Sequence, residues 1–203
     1  MQAKEKKDRK KPSNSGPGIT MTTGVHSVAK TINVCRSVII EITNKTRNVT
    51  LQDFRSYCFS GQVHSPVPFE IGPGSSGECV FAKTPYSLRG SVGVLVCTFD
   101  SSALAIMFSN PFDYILYRIE FALEIFKMEN HMGRLHDVYS KMMGSKAYSS
   151  SRLFQRAHAD SGQETLEVSK GNIRVRAKMS NNEKAVMKVQ IEDTDPPPYS
   201  KNE

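Results

Sequence analysis

The sequence predicts a mainly β fold, a sandwich or barrel of many short strands with few helices. Three observations predict it. Short segments rich in β-branched and aromatic side chains recur from Val34 onward. Clusters of Gly, Pro, Asn, Asp and Ser punctuate them. Helical periodicity is confined to residues 19–33 and 130–143.

The first strand is Val34–Thr43, with Val38, Ile40 and Ile42 on one face. Asn44-Lys45-Thr46-Arg47 then reads as the turn of a hairpin into Val49–Phe59. Strands follow at Val67–Ile71, Glu78–Lys83, Ser91–Phe99, Leu104–Ser109 and Tyr117–Phe126. Between them stand Gly72-Pro73-Gly74-Ser75-Ser76-Gly77, Thr84-Pro85, Asp100-Ser101-Ser102 and Asn110-Pro111, all turn formers. Late strands fall around Thr165–Ser169, Ile173–Met179 and Ala185–Ile191, with Gly171-Asn172 turning the first into the second. Asn130–Met143 is a helix: Met132, Leu135, Tyr139 and Met142 recur at spacings of three and four, and Gly144 stands at the stop position. Ile19–Asn33 places Val25, Val28, Ala29 and Ile32 on one face. Its Thr, Val and Gly24 content makes it a weakly helical, weakly amphipathic segment that needs support from the body or a membrane.

The 203 residues are 38% apolar and 23% charged, which places them in one globular domain with short tails. No run approaches the roughly 18 consecutive apolar residues of a membrane-spanning helix, so a membrane role would begin from a soluble form. Residues 1–18 read as a basic tail and linker. Lys4, Lys6, Lys7, Arg9, Lys10 and Lys11 against Glu5 and Asp8 leave +4 of the formal +7 in this tail, and Asn14–Gly18 is linker composition. With no apolar stretch behind the charges it is not a secretory signal peptide; it reads as a solvated tail, an anionic-membrane anchor or a nuclear address. The domain proper is 19–192, and 193–203 is an acidic and Pro-rich tail. There Pro196, Pro197 and Tyr199 match the PPxY pattern that WW domains bind as polyproline II.

Cys35, Cys58, Cys79 and Cys97 lie about twenty residues apart in apolar contexts without a CxxC pair. They read as buried reduced thiols and, with the missing signal peptide, as cytosolic; the sequons at Asn44 and Asn48 would go unused. His26, His64, His131, His136 and His158 form no HExxH pair, and there is no phosphate loop and no GxSxG. Neither an enzyme, a metal site, a cofactor nor a nucleic-acid partner is expected.

One stretch is far more specific. Gly90-Ser91-Val92-Gly93-Val94-Leu95-Val96-Cys97, then Leu104-Ala105-Ile106-Met107-Phe108-Ser109-Asn110-Pro111-Phe112-Asp113-Tyr114 and Tyr117, resembles the core of the actinoporins, the sea-anemone pore-forming cytolysins, and their vertebrate and plant relatives. The register is compatible from about Asn33 to Lys141, including Tyr57 and Ser60-Gly61. The resemblance implies an actinoporin-like β-sandwich of about ten strands flanked by two α-helices, a fold shared with fungal fruit-body lectins. It implies a protein that is a monomer in solution, binds the phosphocholine head group of sphingomyelin, inserts its N-terminal helix and oligomerises into a cation-conducting pore. It also implies secretion and action at a target cell membrane.

Carried over one residue at a time, the head-group pocket is Ser60, Val92, Ser109, Pro111 and Tyr117, with Arg36 near the phosphate and Tyr139 entering after a small shift in register. Such a pocket has a physical logic: a quaternary ammonium is held by ring faces and a phosphate by hydroxyls or a guanidinium. Tyr114 and Leu116 fall at the membrane interface, and Val25, Val28, Ala29 and Ile32 in the inserting segment. The departures are equally specific. The chain has no Trp; Leu116 takes a Trp position, Glu120 stands where an interfacial Trp would sit, and His136, Ser140 and Lys141 replace tyrosines. Fifteen helical residues span only ~22 Å, short of a ~30 Å hydrocarbon core. A non-lytic lipid or glycan recognition module with a WW-docking tail is the alternative.

Overall fold

The computed structural model describes residues 34–128, 134–144, 151–160 and 164–194. Val25, Val28, Ala29 and Ile32, both tails, and the Pro196, Pro197 and Tyr199 motif lie outside them. Eleven strands form among the described residues: β1 (Ser37–Asn44), β2 (Gln52–Ser60), β3 (Gln62–Ser65), β4 (Ser76–Ala82), β5 (Ser91–Phe99), β6 (Ser102–Asn110), β7 (Glu120–Lys127), β8 (Phe154–His158), β9 (Leu166–Lys170), β10 (Ile173–Met179) and β11 (Lys184–Asp193). One helix, α1 (Leu135–Gly144), joins them. A six-stranded sheet in the order β3-β4-β1-β11-β10-β9 faces a five-stranded sheet in the order β2-β5-β6-β7-β8. Among the described residues only β1 and β11 pair in parallel.

Side-chain alternation sorts each strand of the five-stranded sheet between two hydrophobic layers. In β5, Leu95, Cys97 and Phe99 enter the core between the sheets, while Val92, Val94 and Val96 enter a second cluster with Tyr139 and Met142 of α1. In β6, Leu104, Ile106 and Phe108 go to the core, and Ala103, Ala105 and Met107 go under the helix. Both faces of these strands are covered, which is why β5 and β6 read as unbroken apolar runs. Phe81 and Phe108, from opposite sheets, meet at 4.5 Å between ring centres at the middle of the core. The other sheet turns charge outward: Arg174 pairs with Glu192 at 2.8 Å and Arg176 with Glu167 at 2.7 Å.

Four sequence expectations change. The 44–47 segment does not close a hairpin, because β1 and β2 belong to different sheets. Asn44 is fully buried, its Nδ2 donating to Val49 O (2.7 Å) and Ile71 O (3.0 Å) as the chain crosses between layers. That buried sequon has no room for a glycan. Val67–Ile71 makes only a bridge between Leu51 and Ile71, since Pro66 and Pro68 supply no backbone donors. β7 starts at Glu120 rather than Tyr117, after a turn described below. Cys35 is exposed and Cys58 half-buried; only Cys79 and Cys97 are buried thiols, and all four are free. Burial pushes both buried thiols up to about 12, with the Glu78 charge adding to the effect at Cys79.

Candidate functional site

Strand register collects residues that are far apart in sequence. Ser60 pairs with Val92, Val92 with Ser109, Ser109 with Glu120, and Glu120 with His158. These five form one row across the whole five-stranded sheet. Directly paired residues share a face, and Val92 places that face on the α1 side. The row is the floor of a cavity of about 680 Å³, within the size range of small-ligand pockets. Tyr139 and Met143 of α1, Leu88 and Arg89 of the β4–β5 loop, and Pro111 and Tyr117 of the β6–β7 loop are among its walls.

Local sequence explains how the row opens at its edge. A Cβ on Gly90 would stand 2.0 Å from Asn110 O, so only glycine lets the entry to β5 pass the end of β6. Gly61 has φ +90°, and a Cβ there would meet Ala82 O at 2.5 Å. Between these constraints Ser60 Oγ donates to Gly90 O at 2.8 Å. Asn110 is the anchor of the next corner: fully buried, its Nδ2 donates to Ser37 O (3.0 Å) and Glu183 O (2.9 Å), and its Oδ1 accepts from Tyr114 Oη (2.8 Å). Asp113 Oδ1 then accepts from the amides of Ile115 (2.8 Å) and Leu116 (3.2 Å), and Asp113 O from that of Tyr117 (3.2 Å). This turn holds Ile115 and Leu116 out in solvent at 95% and 71% exposure. Tyr117 and Leu88 are exposed at the cavity wall, and Tyr86 is exposed on the same β4–β5 loop as Leu88.

Of the residues carried over from sequence, Ser60, Val92, Ser109, Pro111, Tyr117 and Tyr139 line the cavity, and so does Leu116. Tyr114 and Arg36 do not. Arg36 Nε donates to Pro111 O (3.0 Å), Nη2 to Phe112 O (2.9 Å) and Nη1 to Cys35 O (2.8 Å), with Nη1 also 2.9 Å from the Glu183 carboxylate. Its guanidinium carbon sits 4.2 Å above the centre of the Tyr114 ring. Arg36 therefore clamps the Pro111-Phe112 corner. Burial raises the pKa of the Tyr114 hydroxyl, and Arg36 opposes the shift.

Register adds two floor residues that sequence reasoning did not assign to the pocket. Glu120, expected at an interfacial Trp position, is instead a largely buried carboxylate. Arg156 binds it through Nε at 3.2 Å and through Nη2, and His158 Nδ1 lies 3.2 Å from its Oε1. Arg156 Nη1 also donates to Met143 O at the end of α1, fastening the helix to the floor. The aromatic wall was also only partly foreseen: Phe59 stacks on Tyr139 at 5.2 Å and 18°, and Tyr57 meets Tyr139 at 5.9 Å. Burial pushes the Tyr139 hydroxyl up to about 12, with the Tyr57 charge contributing. His136 lies edge-on to Tyr57 at 5.6 Å, and Lys141 pairs with Glu124 beneath the helix. No cluster of His, Cys, Asp and Glu suited to a metal occurs among the described residues. The site is therefore a polar-floored, aromatic-walled cavity with exposed apolar side chains on the loops beside it.

Comparison with known proteins gives three findings. The sequence pattern of the family described as sea anemone cytotoxic protein matches residues 18–193. Hydra actinoporin-like toxin 3 of Hydra vulgaris is 34% identical over 85 residues, 42% of this chain and 53% of that protein. The match thus spans about half the length of that relative. Among solved structures, the lipid binding protein Nakanori superposes with a TM-score of 0.61 at 14% identity, covering 82% of this chain and 75% of that one; at this identity the likeness is one of fold.

Proposed function

Because the chain belongs to the sea anemone cytotoxic protein family, the actinoporins, we propose that it is a membrane-lipid-binding protein whose cavity takes a phosphocholine head group. The observation that carries this reading is the cross-strand row from Ser60 to His158 under a cavity framed by exposed apolar loops. Head groups are small and polar, and the acyl chains behind them favour apolar rims. Tyr117 and the half-exposed Phe59 offer ring faces to an ammonium. Ile115, Leu116, Leu88 and Tyr86 would lie at the level of the head groups, the depth that Trp and Tyr usually mark. On this reading Ser60, Val92, Ser109, Pro111, Tyr117 and Tyr139 contact the head group, and Arg36 and Tyr114 hold the corner that presents them.

Pore formation is the family's further step: insertion of the segment containing Val25, Val28, Ala29 and Ile32, assembly of several protomers and passage of cations. Among the described residues no helix is long and apolar enough to cross a membrane. The absence of Trp favours a second reading, in which the cavity binds lipid without lysis and Pro196, Pro197 and Tyr199 recruit a WW-domain protein.

Dye-loaded vesicles containing sphingomyelin separate these readings. Binding with leakage is expected; binding without leakage would leave only the non-lytic reading, and no binding would sink both. Tyr117→Ala is expected to weaken binding, and unchanged binding would remove the cavity as the site.

A further inference from the structure

We propose that Arg89 is the residue that binds the phosphate of the head group, an assignment that rests on the lipid-binding reading above. A phosphate in a cavity of this size needs a cation free to turn toward it. Four guanidiniums lie in or beside the cavity. Arg36 is committed to three backbone carbonyls and Glu183. Arg156 is committed to Glu120 and Met143 O. Arg118 pairs with Asp160 at 2.9 Å. Among the described residues the Arg89 guanidinium alone of the four has no partner, although Arg89 lines the cavity wall.

The backbone that carries Arg89 is fixed on both sides. Its own amide donates to Ser87 Oγ at 3.0 Å, and the carbonyl of the next residue, Gly90, accepts from Ser60 Oγ at 2.8 Å. A held backbone with an uncommitted fork of donors is the arrangement that an oxyanion ligand requires. Ser109, on the adjoining floor, supplies a hydroxyl for a second phosphate oxygen, while the Ser60 hydroxyl proton stays on Gly90 O and holds the loop. The same loop exposes Leu88 at 81% and holds Tyr86 fully exposed with φ +60°, a strained conformation for a tyrosine. Those side chains would rest among the lipid head groups while Arg89 reaches inward, opposite the Ile115–Tyr117 loop. The loop between β4 and β5 is thus a head-group arm, and the phosphate binds at Arg89 rather than at Arg36.

The test measures binding of wild type, Arg89→Gln, Arg89→Lys and Lys178→Gln to sphingomyelin vesicles, and to soluble phosphocholine by calorimetry. Arg89→Gln is expected to weaken vesicle binding about tenfold or more, the loss of a charge-assisted hydrogen bond. Arg89→Lys should recover part of it. Lys178→Gln, which removes one exposed positive charge from β10 on the other sheet, should bind as wild type. A matching loss toward soluble phosphocholine identifies the phosphate itself as the ligand; a loss confined to vesicles, or an equal loss in Lys178→Gln, would show surface electrostatics and overturn the assignment. Wild-type binding that Arg89→Gln leaves intact would overturn the assignment while the lipid-binding reading stands. If wild type binds neither probe, the lipid-binding reading and the assignment fall together. Thermal melting of Arg89→Gln should match wild type, because the side chain is exposed and makes no ion pair or side-chain hydrogen bond among the described residues.

Discussion

Phe81, Phe108 and Phe121 between the sheets and Tyr86, Leu88, Ile115 and Leu116 on the β4–β5 and β6–β7 loops have similar chemistry and opposite fates. The first set is fully buried and the second lies almost entirely in water. Burial of the first stabilises the fold. Exposure of the second gives the fold little in return, and on the proposed lipid-binding reading these side chains meet the membrane. The polar residues differ in the same way. Asn44 and Asn110, buried in crossover and corner, are saturated with hydrogen bonds, whereas Arg89 at the mouth is not. The core and the candidate site occupy opposite faces of the five-stranded sheet.

The comparison breaks most sharply at Phe108. Phe108→Ala should lower the unfolding free energy by about 3–5 kcal/mol, the usual cost of a large core truncation, read as a shifted urea midpoint. A change under about 1 kcal/mol, within the range of surface substitutions, would mean that the sandwich core is not where the fold is held.

Alkaline titration is the next largest test. Cys79, Cys97 and Tyr139 each hold their protons to about 12 in the folded protein, while the unfolded chain releases them near about 8.5 for Cys and about 10 for Tyr. Their folded values are raised, so this stability is fully present below about pH 8.5 and is lost as pH climbs toward 12. Urea midpoints should hold from pH 7 to 8 and fall above about pH 9. Cys97→Ala should flatten that fall, and a slope identical to wild type would contradict the assignment.

Tyr114→Phe, which removes the hydroxyl that Asn110 Oδ1 accepts, should cost about 1 kcal/mol and loosen the corner. Ile115→Ser with Leu116→Ser should change stability by no more than about 0.5 kcal/mol yet reduce vesicle binding. A pair that melts early would move these residues from the recognition surface to the core. The smallest effect is chemical: a thiol reagent should label Cys35 at once in the native protein and reach Cys79 and Cys97 only on unfolding.

Much of the fold was legible because period and punctuation are local. Ser91–Phe99 and Ile173–Met179 were read to their observed ends, since β-branched runs bounded by turn residues have few other solutions. The tyrosine of α1 was placed by helical spacing, and Tyr139 reached the cavity because that spacing points it inward with Met142. β3 and β8 were not legible. Gln62–Ser65 and Phe154–His158 lie at sheet edges, where pairing with β4 or β7 stabilises a strand whose own sequence has no apolar alternation. The hairpin at 44–47 failed for a related reason: a turn sequence says that the chain bends, not which sheet the next strand joins.

The sequence by itself determined the fold class, the apolar strands at the centre and the motif that marks the cavity's near end, because each is encoded by neighbours along the chain. Tertiary structure decided which residues share the site. Glu120 and His158 joined Ser60, Val92 and Ser109 only through strand register, and Arg36 was withdrawn from the cavity by carbonyls more than seventy residues away. Arg89 was likewise singled out only by the partners that the other arginines found. A hydrogen bond between distant segments leaves no trace in either local sequence, so the roles of these cations and carboxylates exist only once the two sheets have closed.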